Sequence, residues 1–155
     1  MDDSACSGTR ILIVRIQARV CALQLVNVIE TMRPLPIEPI AGAPRFVRGV
    51  SIVRGMLTPV VDLGTVLGVA DGVAGRFVTL RMDGRQIALS VDTVLGVRDL
   101  DAATIDMLPP LLQEASKEFI ETIGTLDARI LVVLRTAWEL PDEVWQTLAP
   151  REVSR

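Results

Sequence analysis

The sequence predicts a mainly β protein: two pseudo-equivalent five-stranded β-barrels that share a core, with short connecting helices and a C-terminal helix. Two observations support this fold class. Runs rich in Val, Ile and Leu alternate with Gly, Pro and Asp-Gly turn signals along the 155 residues, and every helical pattern is short. The two halves of the chain also align with each other. We therefore expect one domain over residues 1–155, with a first barrel at about 11–67, a second at about 77–140 and a helix at about 141–149.

The internal repeat has two offsets. With an offset of 66 residues, the segment 12–23 matches 78–89, and four identities recur: Arg15, Arg19, Ala22 and Leu23 as Arg81, Arg85, Ala88 and Leu89. With an offset of 73, Phe46-Val47 meets Phe119-Ile120, and Val60-Val61 meets Val133-Leu134. Each half is too small to bury a stable core alone, so the two should pack on each other.

The pattern of the first half predicts a hairpin, a connector and a second hairpin. Apolar runs at 11–16 and 20–23 predict the first hairpin, and the spacing in 25–30 predicts a short helix that ends before three prolines. Strands at 46–53 and 56–61 follow, joined at Arg54-Gly55. Within them we expect Gly49 and Gly55 at turns or bulges, and Pro59 at an edge or a bulge. Asp62 should be the N-cap of a helical turn over 63–67.

The second half repeats this pattern after a glycine-containing seam at 68–75. Segments 77–82 and 86–91 flank Asp83-Gly84 and give the strongest hairpin signal in the chain. A loop at 99–110 should contain a helical turn at 102–106, and 111–117 suits a helix. Strands at 119–125 and 130–134 precede the C-terminal helix, whose inner face carries Val144, Trp145 and Leu148.

The composition excludes many active sites. The chain has no His and no Tyr, so it cannot contain a Ser-His-Asp or Cys-His nucleophile or a His-ligated metal. Its two cysteines, Cys6 and Cys21, are too few for a zinc or iron–sulfur site, and we expect them reduced in a cytoplasm. A net charge of −3 with five aromatic residues does not suit nucleic-acid binding. We predict no cofactor, no metal and no membrane insertion.

One stretch carries a distinctive spacing. Gly49-Val50-Ser51-Ile52-Val53-Arg54-Gly55, with Pro59 and Asp62-Leu63, fits R-G-x-x-x-P-x-x-D-L. This stretch resembles the CheW family, the adaptor proteins that couple chemoreceptors to the histidine kinase CheA, whose pattern is approximately G-V-x-N-L-R-G-x-x-x-P-x-x-D-L. The resemblance extends over nearly the whole chain, through Val28-Ile29-Glu30 and the segments 83–97 and 119–134. Ile52 replaces the family's Asn.

The resemblance implies a cytoplasmic, non-catalytic adaptor that is recruited to membrane receptor arrays. Its partners would be the cytoplasmic tip of a chemoreceptor and the CheW-like regulatory domain of a CheA-type kinase. The receptor-binding groove would contain Val28, Glu30, Val50 and Arg54. The kinase surface would lie near Asp106, Leu111 and Leu112. Structural roles are expected for Gly49, Gly55, Pro59 and Asp62.

Several alternatives remain at this point. Glu30 and Arg54 lie among apolar neighbours, where a charge is costly unless it is paired, and the resemblance implies that they lie together near the receptor-binding groove. We expect a buried pair that either shapes the binding surface or only pins the connector to the hairpin. Leu111 and Leu112 suit internal packing as well as a kinase contact. A CheW-like adaptor of a non-flagellar pathway, for pilus motility or developmental control, is a second functional reading. A small carboxylate enzyme using Asp92 and Asp99 is a distant third.

Overall fold

A computed structural model describes residues 9–69, 75–82, 84–100, 105–106, 120–126, 129–134, 142 and 144–146. Within these residues the chain forms two β-sheets and short helical segments, which confirms the mainly β class. The strands are β1 (Thr9–Ile16), β2 (Arg19–Gln24), β3 (Val28–Met32), β4 (Val47–Val53), β5 (Met56–Asp62), β6 (Arg76–Met82), β7 (Arg85–Val91), β8 (Thr93–Leu100), β9 (Ile105–Asp106), β10 (Ile120–Leu126) and β11 (Arg129–Leu134). A 3-10 turn covers Leu25–Asn27, helix α1 covers Leu63–Val66, and residues 142 and 144–146 are helical.

The two sheets have the same internal order. One sheet is β3-β6-β7-β5-β4, and the other is β8-β1-β2-β11-β10 with the short β9 added at its end. An offset of 66 places β1, β2 and β3 on β6, β7 and β8, and an offset of 73 places β4 and β5 on β10 and β11. Both sheets also contain one parallel pair, β5–β7 in the first and β2–β11 in the second. The internal repeat read from the sequence therefore corresponds to a structural repeat.

The barrels are not divided where the repeat suggested. Hairpin β1–β2 lies in the sheet with β8, β10 and β11, and hairpin β6–β7 lies in the sheet with β3, β4 and β5. The boundaries 11–67 and 77–140 therefore do not coincide with the sheets. Each half donates its first hairpin to the other, because β2 pairs in parallel with β11 and β7 pairs in parallel with β5. Here we call the β3–β7 sheet the first barrel and the β8–β1–β2–β11–β10 sheet the second barrel.

The predicted helix over 25–30 is also wrong beyond its first turn. Only Leu25–Asn27 is helical, and β3 begins at Val28. The residues of β3 alternate between half-buried and exposed positions, and the strand pairs antiparallel with β6. Cross-strand pairing overrides a helical spacing that extends over only five residues.

Three layers of buried side chains hold the sheets together. The largest cluster, which includes Leu12, Leu23, Leu80 and Leu89, takes residues from strands of both barrels and forms the shared core. Ile11, Ile13, Val20, Ala22, Leu131 and Val133 fill the second barrel, and Val60, Phe77 and Ala88 fill the first. Val144 of the C-terminal helical segment is buried in the shared core, and Trp145 stacks under the Arg85 guanidinium at 4.5 Å. The predicted Leu148 lies outside the described residues.

A proline-containing strap, residues 33–40, lies along the outer edge of β4. Glu38 and Val50 exchange two backbone hydrogen bonds of 2.8 Å, and the Ser51 hydroxyl donates to the Pro36 carbonyl at 2.7 Å. The approach is possible because Gly49 has no side chain. A Cβ there would lie 2.1 Å from the Glu38 carbonyl oxygen, and the backbone φ of +149° also favours glycine. Gly49 is thus a bulge glycine, as predicted, and the residue over which the strap lies.

We expect Gly49→Ala to lower the free energy of unfolding by about 2 kcal/mol or more, because it combines backbone strain with a backbone clash. Gly42→Ala is the matched control, since Gly42 also has a positive φ, of +80°, but an added Cβ meets nothing within 4 Å. Urea denaturation followed by circular dichroism measures both. Equal destabilisation by the two substitutions would show that the strap contact imposes no constraint.

Candidate functional site

The candidate site contains a two-point ion pair between Glu30 and Arg54. The Arg54 Nε donates to Glu30 Oε2 at 2.6 Å, and its Nη2 donates to Glu30 Oε1 at 2.7 Å. Two parallel charge-assisted hydrogen bonds fix the plane of the guanidinium against the plane of the carboxylate. The sequence-based pairing of these two residues is therefore present in the structure.

The backbone around Arg54 explains how its side chain reaches Glu30. Arg54 and Gly55 have φ values of +50° and +80°, and they join the paired residues Val53 and Met56. Two central residues with positive φ make a tight hairpin turn whose twist matches that of the strands. Gly55 is therefore a turn glycine, as predicted. Arg54 adopts an uncommon conformation for a residue with a side chain, at the tip of the β4–β5 hairpin.

The pair is not buried, contrary to the expectation from its apolar sequence neighbours. The Arg54 side chain is 75% exposed, and that of Glu30 is 23% exposed. The hydrogen bond from Arg54 lowers the pKa of Glu30, and the same bond raises the pKa of Arg54. Because solvent screens an exposed pair, its contribution to stability is small. Three of the apolar neighbours that suggested burial, Ile29, Ile52 and Met56, are themselves exposed.

The ion pair joins opposite edges of the first barrel's sheet. Glu30 lies on β3, which is one edge of the sheet. Arg54 lies at the tip of the β4–β5 hairpin, and β4 is the other edge of the sheet. The strap also joins these edges, since it leaves β3 and pairs with β4. The site is therefore located at the seam where the curved sheet closes.

The two valines assigned to the groove have different positions. Val50 is buried, with 4% of its surface exposed, and its backbone pairs with Glu38 of the strap. It cannot contact a partner in this conformation. Val28, two residues before Glu30 on β3, is half-buried and packs against the shared core. Of the four groove residues, the structure brings Glu30 and Arg54 into contact.

Exposed aliphatic side chains on the same elements were not predicted as site residues. Ile52 is 66% exposed and lies opposite Leu57 on the β4–β5 hairpin. On the β3 side, Val26 is 88% exposed and Ile29 is 40% exposed. Exposed aliphatic groups beside a charged pair are typical of protein contact surfaces. For Ile52, the sequence signal was its departure from the family's Asn.

Two residues assigned structural roles make different contacts from those expected. Pro59 lies in β5, which is a central strand and not an edge, and the bulge is on β4 between Val47 and Gly49. Val50 is the register partner of Pro59 on β4, and the Val50 N–H and C=O both form hydrogen bonds with Glu38. Because Val50 therefore forms no hydrogen bond with Pro59, the missing N–H of Pro59 removes no bond between β4 and β5. Asp62 occupies the N-cap position of α1, but its carboxylate accepts from the Thr65 hydroxyl at 2.6 Å.

The residues assigned to the kinase surface are only partly described. Asp106 lies in β9, which pairs with β10 through Asp106–Ile123 and Ile105–Gly124. The pairing of Asp106 with Ile123 in the second barrel corresponds to the pairing of Glu38 with Val50 in the first, since Val50 and Ile123 are related by the offset of 73. Leu111 and Leu112 lie outside the described residues, so their assignment remains a prediction.

The acidic residues of the alternative enzyme have structural partners. Asp92 Oδ2 accepts from the Gln17 backbone N–H at 2.7 Å, and Asp99 forms an exposed ion pair with Arg10 at 3.4 Å. The described part of the chain contains no group of three or more Cys, Asp and Glu residues that could hold a metal ion. Cys21 is a free buried thiol, and burial raises its pKa to about 12. None of the helices in the described part has the length and apolar character needed to span a membrane.

Comparison with known proteins gives consistent matches. A family model, the CheW-like domain, matches residues 10–138. Chemotaxis protein CheW of Klebsiella aerogenes is 28% identical over 101 residues, 63% of this chain and 61% of that protein. Protein FrzA of Myxococcus xanthus is 34% identical over 105 residues, 66% of this chain and 64% of FrzA. These two alignments thus span less than two thirds of the relatives' length.

Longer alignments support the same match. Chemotaxis protein CheW of Rhizobium meliloti is 22% identical over 139 residues, which cover 88% of this chain and 90% of that protein. The crystal structure of scaffolding protein TtCheW from Thermoanaerobacter tengcongensis superposes with a TM-score of 0.74 at 23% identity. It covers 84% of this chain and 90% of that chain. This structural likeness establishes the fold.

Proposed function

This chain belongs to the CheW-like domain family, and we propose that it couples a chemoreceptor to a CheA-type histidine kinase in a bacterial chemosensory system. Proteins of this family are non-catalytic scaffolds, and the chain is not an enzyme. The observation that carries the proposal is the Glu30–Arg54 pair, an exposed charge pair held by two parallel hydrogen bonds between β3 and the β4–β5 hairpin tip.

The proposed receptor-binding surface consists of Glu30, Arg54 and the exposed aliphatic residues Ile29 and Ile52. Arg54 uses Nε and Nη2 on Glu30, which leaves the donors of Nη1 for a partner. A receptor tip that places a carboxylate beside an aliphatic side chain complements this combination. Val28 supports the surface from the core side, and Val50 supports it from beneath the strap.

The proposed kinase-binding surface contains Asp106, Leu111 and Leu112. Of these residues, Asp106 lies in β9 at the end of the second barrel's sheet, whereas the proposed receptor surface lies on the first barrel. An adaptor must hold receptor and kinase at once, so it needs separate surfaces of this kind. In the cell this adaptor is cytoplasmic and is recruited to receptor arrays at the membrane.

A second candidate pathway uses the same mechanism. Similarity to Protein FrzA, which has a higher percentage identity than the relatives named CheW above, favours an adaptor of a non-flagellar pathway that controls pilus motility or development. The receptor and kinase surfaces are the same in both cases. A pull-down from the source cell identifies which receptor and kinase the chain joins.

We expect Arg54→Ala to weaken binding to receptor-bearing membranes about tenfold or more, because a central charged anchor is removed. Arg10→Ala is the matched control, since Arg10 is also an exposed arginine paired with an acidic residue, 70% exposed, but lies on β1 of the second barrel. Co-sedimentation with membranes in the absence of kinase measures both. Equal binding by the two variants would contradict the receptor assignment of Arg54.

We expect Leu111→Ser and Leu112→Ser to weaken binding to the kinase regulatory domain about thirtyfold, while receptor binding stays at the parent level. Titration calorimetry with the isolated kinase domain measures the first, and co-sedimentation measures the second. Loss of both partners by a variant that keeps the parent's circular dichroism spectrum would mean that one shared surface, and not two, carries the function.

A further inference from the structure

The side chain of Thr79 contacts the backbone of Glu30, the acidic member of the ion pair. Thr79 is on β6, is fully buried, and is the register partner of Glu30 on β3. Its hydroxyl donates to the Glu30 backbone carbonyl at 3.2 Å. A buried hydroxyl requires a hydrogen-bond partner, and this one finds it in the backbone of the residue that holds Arg54.

The hydrogen bond between Thr79 and Glu30 is important because Glu30 directly follows a bulge in β3. β3 contains a bulge at Ile29, since Val28 pairs with Leu80 and Glu30 pairs with Thr79. A bulge interrupts the ladder, increases the local twist and changes the direction of the next side chain. The direction of the Glu30 carboxylate therefore depends on what fixes the backbone just after the bulge.

The second barrel provides an internal comparison. Its β8 has the same bulge at Leu95, between Val94 and Gly96, and Gly96 pairs with Ile13. By the offset of 66, Gly96 corresponds to Glu30 and Ile13 corresponds to Thr79. Where the strand carries a carboxylate, a hydroxyl lies opposite it. Where it carries a glycine, an aliphatic side chain lies opposite it. The bulge therefore forms without a hydroxyl on the opposite strand, and the Thr79 hydroxyl is present in the barrel whose strand carries the Glu30 carboxylate.

We propose that Thr79 is a positioning residue: its hydroxyl fixes the Glu30 backbone after the bulge so that both carboxylate oxygens meet the Arg54 guanidinium. This assignment deepens the proposed function, because it rests on the Glu30–Arg54 pair being part of the receptor-binding surface. Arg54 cannot orient the pair itself, since its side chain is 75% exposed and its backbone is at a hairpin tip. The orientation comes from the β3 side, where Thr79 anchors it.

Thr79→Val tests the proposal, because it keeps the shape of the side chain and removes the hydroxyl. The readout is the pKa of Glu30, measured by following its carboxyl carbon in NMR spectra as the pH changes. We expect this pKa to rise in Thr79→Val to a value between that of the parent and that of Arg54→Gln. Thr79→Ser keeps the hydroxyl and should retain the parent value. If Thr79→Val does not fold, Thr79→Ala removes the same hydroxyl with less crowding and should give the same rise.

Thr58→Val is the control for general loosening of the first barrel. Thr58 is also fully buried, but its hydroxyl donates to the Met56 carbonyl and accepts from Gln86. An unchanged Glu30 pKa in Thr79→Val would overturn the proposal. An equal rise in Thr58→Val and Thr79→Val would also overturn it, since the effect would then not belong to Thr79.

Receptor binding separates this proposal from the proposed function. If both hold, Thr79→Val weakens co-sedimentation with receptor-bearing membranes about two- to tenfold, the effect of one lost hydrogen bond. If Arg54→Ala leaves receptor binding intact while Thr79→Val still raises the Glu30 pKa, the receptor assignment fails and the positioning role stands.

Discussion

The close approach of the Glu38 carbonyl to Gly49 is the constraint on which the first barrel depends. No other residue leaves room for the strap at this point, because an added Cβ would meet backbone and not a movable side chain. With the strap in place, the outer edge of β4 is paired at Val50, and the chain that leaves β3 is joined to the opposite edge of the sheet. The curved sheet then holds the tip of the β4–β5 hairpin over β3. The contact between Arg54 and Glu30 is a consequence of this closure.

This arrangement suits an adaptor. The shared core takes side chains from both sheets, so the two barrels are held in a fixed relation by apolar packing and not by a polar interface. Rigidity of this kind allows two partners to be held at a fixed geometry. The exposed ion pair adds little to stability, which is compatible with the proposed role of this pair in receptor binding.

The sequence predicted the elements better than their partners. The offsets of 66 and 73 matched strands to strands, and Glu30 was paired correctly with Arg54. The exchange of hairpins was not predictable, because a repeat shows which segments are equivalent but not which neighbour each one pairs with. The parallel pairs β2–β11 and β5–β7 are contacts of long sequence separation, with no local signal. The pairing of the strap with Val50 was not predictable either, since the strap is a proline-rich segment without strand character in the sequence.

Hydrogen exchange at the amides of Glu38 and Val50 tests the central claim most directly, because these two groups form the bonds that close the first barrel. If the closure is part of the stable fold, both amides exchange as slowly as those of the buried strand β7, through global unfolding. If they exchange as fast as the exposed loop amide of Gly42, the strap opens freely, and the closure does not fix the Glu30–Arg54 surface.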